Sequence, residues 1–370
     1  MAKSRLQELS ELGQSVWIDS LSREMLETGE LERLIREDAV SGVTSNPTIF
    51  QKALAEGEWY DPQLRELARI DDASEVFVRL AERDISGACD LLRPIYDRTS
   101  GDDGYVSMEV DPRLANETAA TLEQALRLHR EIGRPNLLVK IPATKPGLPA
   151  IEDAIAGGHS INITLIFSLE RYAEVVEAYL RGLERLLEAG GELSRVASVA
   201  SFFVSRVDTE ADKRLEAIGT EEALALRGKL AVANAKLAYD HFLQRFSGER
   251  WQRLRARGAR VQRCLWASTS TKNPSYPDTI YVDELIGPDT VNTMPIETVR
   301  AFQDHGSVRP TLTEGMDEAR RLLERFAAVG VDYGDVVELL EREGVEKFAD
   351  SFAALREGIE AKRSRIGAAA

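Results

Sequence analysis

Asn136-Leu-Leu-Val-Lys-Ile-Pro142 reads as a short strand with two unlike faces. Side chains alternate along a strand, so Leu137, Val139 and Ile141 make one apolar face and Lys140 lies on the other. Further on, Ser160-Ile-Asn-Ile-Thr-Leu-Ile-Phe167 repeats the arrangement. Ile161, Ile163 and Leu165 are expected against helices, while Asn162 and Thr164 share the opposite face. After this strand Leu169, Tyr172, Val176, Tyr179, Leu183 and Leu186 recur at helical spacing, with Ser168 placed to cap the start. Short aliphatic runs alternating with helices predict a parallel sheet with helical crossovers.

Outward from this pair, strands are expected at Ser15–Ser20, Val40–Ser45, Tyr105–Asp111, Arg263–Ser268, Val196–Val204 and, most weakly, Thr290–Met294. With the first two they make eight, the barrel number, so the expected class is α/β: a single (β/α)8 TIM barrel with additional helices. Residues 1–370 are read as one domain, because no Pro/Gly/Ser linker, low-complexity tract or repeat divides them. Such a barrel needs about 250 residues. The excess is assigned to helical insertions near 59–98 and 209–258 and to a C-terminal helical segment from about 313.

At 370 residues and 43% hydrophobic the chain buries a sizeable core, which excludes a disordered or fibrous class. A net charge of -15 disfavours nucleic acid and anionic lipid, both of which need a basic face. It also repels phosphate esters, so a phosphorylated substrate would depend on a few well-placed Arg and Lys side chains. Met1 to Gly13 is amphipathic without the apolar stretch of a signal peptide, and no run reaches the ~18 apolar residues of a membrane helix. Cys89 and Cys264 stand far apart with no ligand spacing, as in a reducing compartment, and cytoplasmic residence is expected. His129, His159, His241 and His305 are scattered, so no metal site is expected.

The same parity puts Ser107 and Glu109 opposite Val106, Met108 and Val110, and Trp17 and Asp19 opposite Val16 and Ile18. Each such residue taken singly reads equally as a strand end with its polar head in water. Together they place a lysine, two carboxylates, an asparagine and a threonine at the carboxyl ends of several strands with one parity, where barrel enzymes assemble their sites. Desolvation disfavours an ammonium, so an inward amine without a fixed carboxylate partner sheds its proton and attacks ketones. The protonated imine draws electrons from neighbouring carbons and permits carbon–carbon cleavage. Asp19 and Glu109 suit the proton transfers, one of them through a water held by Thr164.

Gly42-Val-Thr-Ser-Asn-Pro-Thr-Ile-Phe50, Val139-Lys-Ile-Pro-Ala-Thr144, Ile161-Asn-Ile-Thr-Leu-Ile-Phe-Ser168 and Phe203-Val-Ser-Arg-Val-Asp208 resemble the signature segments of transaldolases, particularly the longer bacterial form. The likeness extends to Ala267-Ser-Thr-Ser-Thr-Lys-Asn-Pro274 and Gly344-Val-Glu-Lys-Phe-Ala-Asp-Ser-Phe352, and so spans nearly the whole chain. The resemblance implies a (β/α)8 barrel without a cofactor. The implied reaction moves a dihydroxyacetone unit from sedoheptulose 7-phosphate to glyceraldehyde 3-phosphate, giving erythrose 4-phosphate and fructose 6-phosphate, in the non-oxidative pentose phosphate pathway.

Carried over by motif position, Lys140 resembles the Schiff-base lysine, Asp19 the base at the cleaved hydroxyl, and Glu109 with Thr164 the pair holding the catalytic water. Asn46 and Asn162 resemble contacts to substrate hydroxyls, and Ser201, Phe203 and Arg206 contacts to the sugar and its phosphate. After the seventh strand many family members carry an arginine where this chain has Ser270 and Thr271. Either Lys272 replaces it, with Ser268 as a donor, or Lys272 is a solvated loop residue. A Schiff-base aldolase of the same superfamily is the near alternative, although those enzymes tend to have glutamine at the position of Glu109 and shorter chains. A silent barrel that binds sugar phosphates or a protein is the distant one. Monomer and homodimer are both left open.

Overall fold

A strand with one polar and one apolar face must bury both ends of its hydrogen-bonding row, and eight parallel strands do so by closing on themselves. The computed structural model describes residues 3–55 and 57–368. Met1 and Ala2 of the Met1–Gly13 segment, Glu56, and Ala369 and Ala370 lie outside the described residues. The strands are β1 (Gln14–Ile18), β2 (Val40–Thr44), β3 (Val106–Glu109), β4 (Leu137–Pro142), β5 (Ile161–Ile166), β6 (Ser198–Phe203), β7 (Gln262–Ala267) and β8 (Thr290–Met294). They pair in chain order, all parallel, and β8 returns to β1 to close the barrel. The (β/α)8 barrel expected from the sequence is therefore the fold, including its faintest strand at Thr290–Met294.

Register decides which side chains meet inside. Glu109 lies opposite Lys140, and Lys140 opposite Asn162, so three inward polar residues stand side by side across β3, β4 and β5. Trp17 is wholly buried, its Nε1 donating to Asp103 at 2.8 Å. A Cβ on Gly42 would come within 2.3 Å of the Trp17 ring, so the indole has room only because position 42 has no side chain. Gly42→Ala should cost about 1–3 kcal/mol of stability by overpacking, read as a lower urea midpoint; an unchanged midpoint would show that the ring moves aside freely.

One expectation of uniform alternation is corrected in β5. Leu165 takes φ +61° and the β5–β6 register shifts between Ile163 and Ile166. A bulge inserts a residue and re-aims the side chains beyond it. Leu165 consequently leaves the outer helices and packs under the C-terminal helix, where a Cβ on Gly344 would stand 3.0 Å from its Cδ2.

The helix Leu169–Glu188 starts as read, with Ser168 Oγ accepting from the Arg171 N–H at 2.9 Å. Between β2 and β3 lie the helices Asp61–Glu66 and Ala73–Arg98, the latter packed on β2 and β3, and between β6 and β7 lie Glu221–Leu224, Leu230–Arg245 and Glu249–Arg255, with Leu230–Arg245 packed on β7. The helix Ser205–Ile218 begins only two residues beyond the last residue of β6, before the insertion assigned from 209. Met316–Ala328 and the long Tyr333–Ala368 form the C-terminal segment. That last helix crosses the mouth of the barrel. Arg171 reaches Glu341 at 3.3 Å near its start, Thr48 donates to Ser351 at 2.8 Å further on, and Lys362 donates to the carbonyl of Gly57 at 2.7 Å.

Candidate active site

Lys140 is buried in mid-barrel, its Nζ 3.3 Å from the Ser45 carbonyl and 3.5 Å from Glu109 Oε2. Glu109 is thus a carboxylate neighbour close enough to be a partner, which corrects the picture of an inward amine without one. Burial pushes the Glu109 carboxyl up to about 7, against the pull of Lys140 and with a further push from Asp19. Neither Glu109 oxygen, nor the buried Thr164 hydroxyl, has a hydrogen-bond partner among the described residues. Buried polar atoms are normally satisfied, so these three mark a place for water or substrate.

Asp19 follows the end of β1, half-buried, and its N–H extends the ladder to the Met294 carbonyl at 2.9 Å. Thr44 donates to Asp19 Oδ1 at 2.8 Å and, having one proton, receives from Thr293 across 2.7 Å. Burial raises the Asp19 carboxyl above its ordinary value, while Lys140, Thr44, Arg206 and Lys272 hold it down. On the far side Asn162 donates to Ser107 at 2.9 Å and accepts from Ser201 at 2.7 Å, which settles the direction of its amide. The Asn46 carbonyl oxygen accepts from the Ile49 N–H at 3.1 Å and turns the chain into the helix Pro47–Ala55.

A cavity of about 590 Å³ opens above these groups at the carboxyl ends of the strands. Asp19, Asn46, Lys140, Ser201, Phe203, Arg206, Ser268 and Lys272 all line it. Glu109, Asn162 and Thr164 do not line it; Glu109 lies 3.5 Å from Lys140 Nζ, and Asn162 accepts from Ser201 at 2.7 Å. The Arg206 guanidinium lies 5.2 Å over the Phe203 ring, half-buried, and burial lowers its proton affinity. Ser268, at φ +56°, shares a 2.9 Å hydroxyl contact with Ser205 at the start of the Arg206 helix. A larger hollow of about 920 Å³ lies at the other end of the barrel. There Asp103 and Arg263 spend their bonds on Trp17 Nε1 at 2.8 Å and Ser15 Oγ at 2.7 Å, which makes a plug rather than a site.

A profile of the transaldolase/fructose-6-phosphate aldolase family matches residues 16–359. The chain is similar to a transaldolase of Parafrankia sp. (strain EAN1pec), 55% identical over 99% of each chain, and to one of Frankia alni, 53% identical over 98% of each. A transaldolase of Thermobifida fusca is 56% identical over 95% of this chain and 96% of its own. The chain belongs to the transaldolase/fructose-6-phosphate aldolase family.

The mouth also holds side chains to which the sequence reading gave no role, two of them, Lys347 and Phe348, inside the Gly344–Phe352 stretch that resembles the family. Phe348 of the C-terminal helix lies 5.7 Å from Lys140 Nζ and covers the amine. Lys52 and Lys347 line the same cavity. The loop after β7, where many members of the family have an arginine, offers Lys272, exposed and bonded to Ser270 Oγ at 2.5 Å. Thr44 and Thr293, which orient Asp19, could have been found by continuing the parity argument along β2 and β8. Among the described residues no three His, Cys, Asp or Glu side chains cluster as metal ligands, and no helix is long and apolar enough to cross a membrane.

Proposed function

We propose that the chain is a transaldolase working through Lys140. The Lys140 amine adds to the ketone of sedoheptulose 7-phosphate or fructose 6-phosphate, and Glu109, 3.5 Å away, exchanges protons as the carbinolamine loses water. Thr164 and Glu109, whose buried oxygens have no hydrogen-bond partner among the described residues, hold that water. Asp19, aimed by Thr44, takes the proton from the hydroxyl whose carbon leaves. The bond to that carbon then breaks with its electron pair moving into the iminium to give the lysine enamine, and the leaving carbon departs as the carbonyl of an aldose phosphate. Addition to glyceraldehyde 3-phosphate followed by the reverse steps releases fructose 6-phosphate. Asn46, Asn162 and Ser201 bond the sugar hydroxyls, and Arg206 receives the phosphate with its planar fork, Ser268 assisting.

The observation that carries this reading is the register that sets Glu109, Lys140 and Asn162 abreast inside the barrel. All the site residues come from one chain, so a monomer or a homodimer houses it equally. The long helix Tyr333–Ala368 returns over the mouth, which favours one domain over two. Both cysteines are buried free thiols, in keeping with a cytoplasmic enzyme of small sugar phosphates.

Borohydride reduction in the presence of fructose 6-phosphate should fix about one dihydroxyacetone unit per chain, mapped to Lys140 by peptide mass. In the same preparation, glyceraldehyde 3-phosphate should accumulate rapidly only when an acceptor such as erythrose 4-phosphate is added. Fast release without an acceptor would make the chain an aldolase, and no adduct would make it a silent barrel.

A further inference from the structure

Besides Lys140, four basic side chains from four different elements line the cavity: Lys52 on the helix Pro47–Ala55, Arg206 after β6, Lys272 after β7 and Lys347 on the C-terminal helix. Most arginines on this acidic chain lie against a carboxylate; none of these four has one in ion-pair contact among the described residues. Asp19, Glu24, Glu30 and Glu297 also border the cavity, and Glu297 and Asp19 bear on Lys272. Lys347 is different. Its surroundings are Arg206, Lys272 and Lys52, and their charges, led by Arg206 and joined by partial burial, lower its proton affinity. Keeping like charges together costs energy that a bound anion would recover.

Position on the helix supports the same conclusion. Phe348 looks down on Lys140, and the residue before it projects about 100° round the helix. That turn takes Lys347 off the direction of Phe348, and it lines the same cavity as Arg206, whose charge is the leading influence on it. Lys272 already spends a bond on Ser270, whereas Lys347 makes none with the protein among the described residues.

We propose that Lys347 is a phosphate-binding residue that holds the sugar phosphate together with Arg206, taking at the barrel mouth the place of the arginine that the loop after β7 lacks. This rests on the reading of the substrate as a sugar phosphate and adds that the C-terminal helix recognises it. The blander possibility, a lysine merely solvated on a helix face, predicts no dependence on phosphate.

The test uses the full chain with Lys347→Met and Lys347→Arg. Titration with inorganic phosphate, which needs no turnover, should show binding about tenfold weaker in Lys347→Met and mostly restored in Lys347→Arg. KM for fructose 6-phosphate should rise by a similar factor with kcat within about twofold, and borohydride trapping of unphosphorylated dihydroxyacetone should fall far less than trapping of fructose 6-phosphate. Unchanged phosphate binding in Lys347→Met would overturn the proposal, and so would equal losses with both ketoses, which would mean a displaced helix. Failure of the unaltered protein to trap either ketose would instead sink the Schiff-base reading, while the phosphate titration would still decide Lys347.

Discussion

Lys140→Met should give a folded barrel that forms no trappable adduct with fructose 6-phosphate and turns over at least about 10⁴-fold more slowly, a barrier increase of ~5.4 kcal/mol. The loss is that large because the amine is itself the covalent catalyst. Without the imine, the electrons of the breaking carbon–carbon bond have no sink, and among the described residues no other lysine is in ion-pair contact with Glu109. Folding should suffer little. Nζ makes one long bond, to the Ser45 carbonyl at 3.3 Å, and methionine fills nearly the same unbranched volume. Glu109 would lose the downward pull of Lys140, and its carboxyl, already at about 7, would rise further and stay neutral in the barrel. Peptide mass after borohydride treatment and a urea titration at pH 6.5 check the two halves of this expectation. Lys140→Arg should be equally silent, since a guanidinium stays protonated. A trapped adduct in Lys140→Met, or a rate within tenfold of the unaltered enzyme, would move the chemistry to another residue.

The barrel was legible because each strand carries its own two-residue period, and a lysine or carboxylate that breaks the apolar face reveals itself locally. Lys140, Glu109, Asn162 and Thr164 were found that way, and their inward direction needs only parity and closure. What parity does not carry is contact between distant elements. Phe348 and Lys347 sit on a helix whose other faces look ordinary, and only the crossing of that helix over the mouth turns them toward Lys140 and Arg206. The Leu165 bulge depends on how β5 meets β6, so alternation alone placed that side chain on the outside. The pairing of Glu109 with Lys140 likewise comes from interstrand register, which sets a carboxylate beside an amine that sequence treats as solitary. Gly42 falls inside the expected strand Val40–Ser45 and Trp17 on the Asp19 face of the first strand, and their interlock appears only when β1 and β2 lie side by side.

Glu109→Gln should lower the rate about 10²–10³-fold and remove a limb of the pH–rate profile near neutrality, yet it should make the protein relatively more stable in alkali. The sign is set by the direction of the shift. Burial, only partly offset by Lys140, raises the folded carboxyl from its ordinary 4.5 to about 7, so folding takes up a proton between these values. The contribution of Glu109 to stability is fully present below pH 4.5 and is lost as pH rises through 7, a penalty on the order of 3 kcal/mol. Glutamine does not titrate. The stability of the variant relative to the unaltered protein should therefore climb between pH 5 and pH 8, although Lys140 loses its neighbour at 3.5 Å and takes back part of the gain. Asp19, also raised by burial, remains in both proteins and largely cancels from the comparison. Activity runs the other way, because proton exchange at the carbinolamine needs the carboxylate, whose population grows over the same interval. One buried group then sets catalysis against stability across pH 5–8. Urea unfolding of both proteins at the two pH values, with kcat measured alongside, examines this directly. A Glu109→Gln variant that keeps the neutral limb, or a stability difference that does not change with pH, would assign that titration to another group.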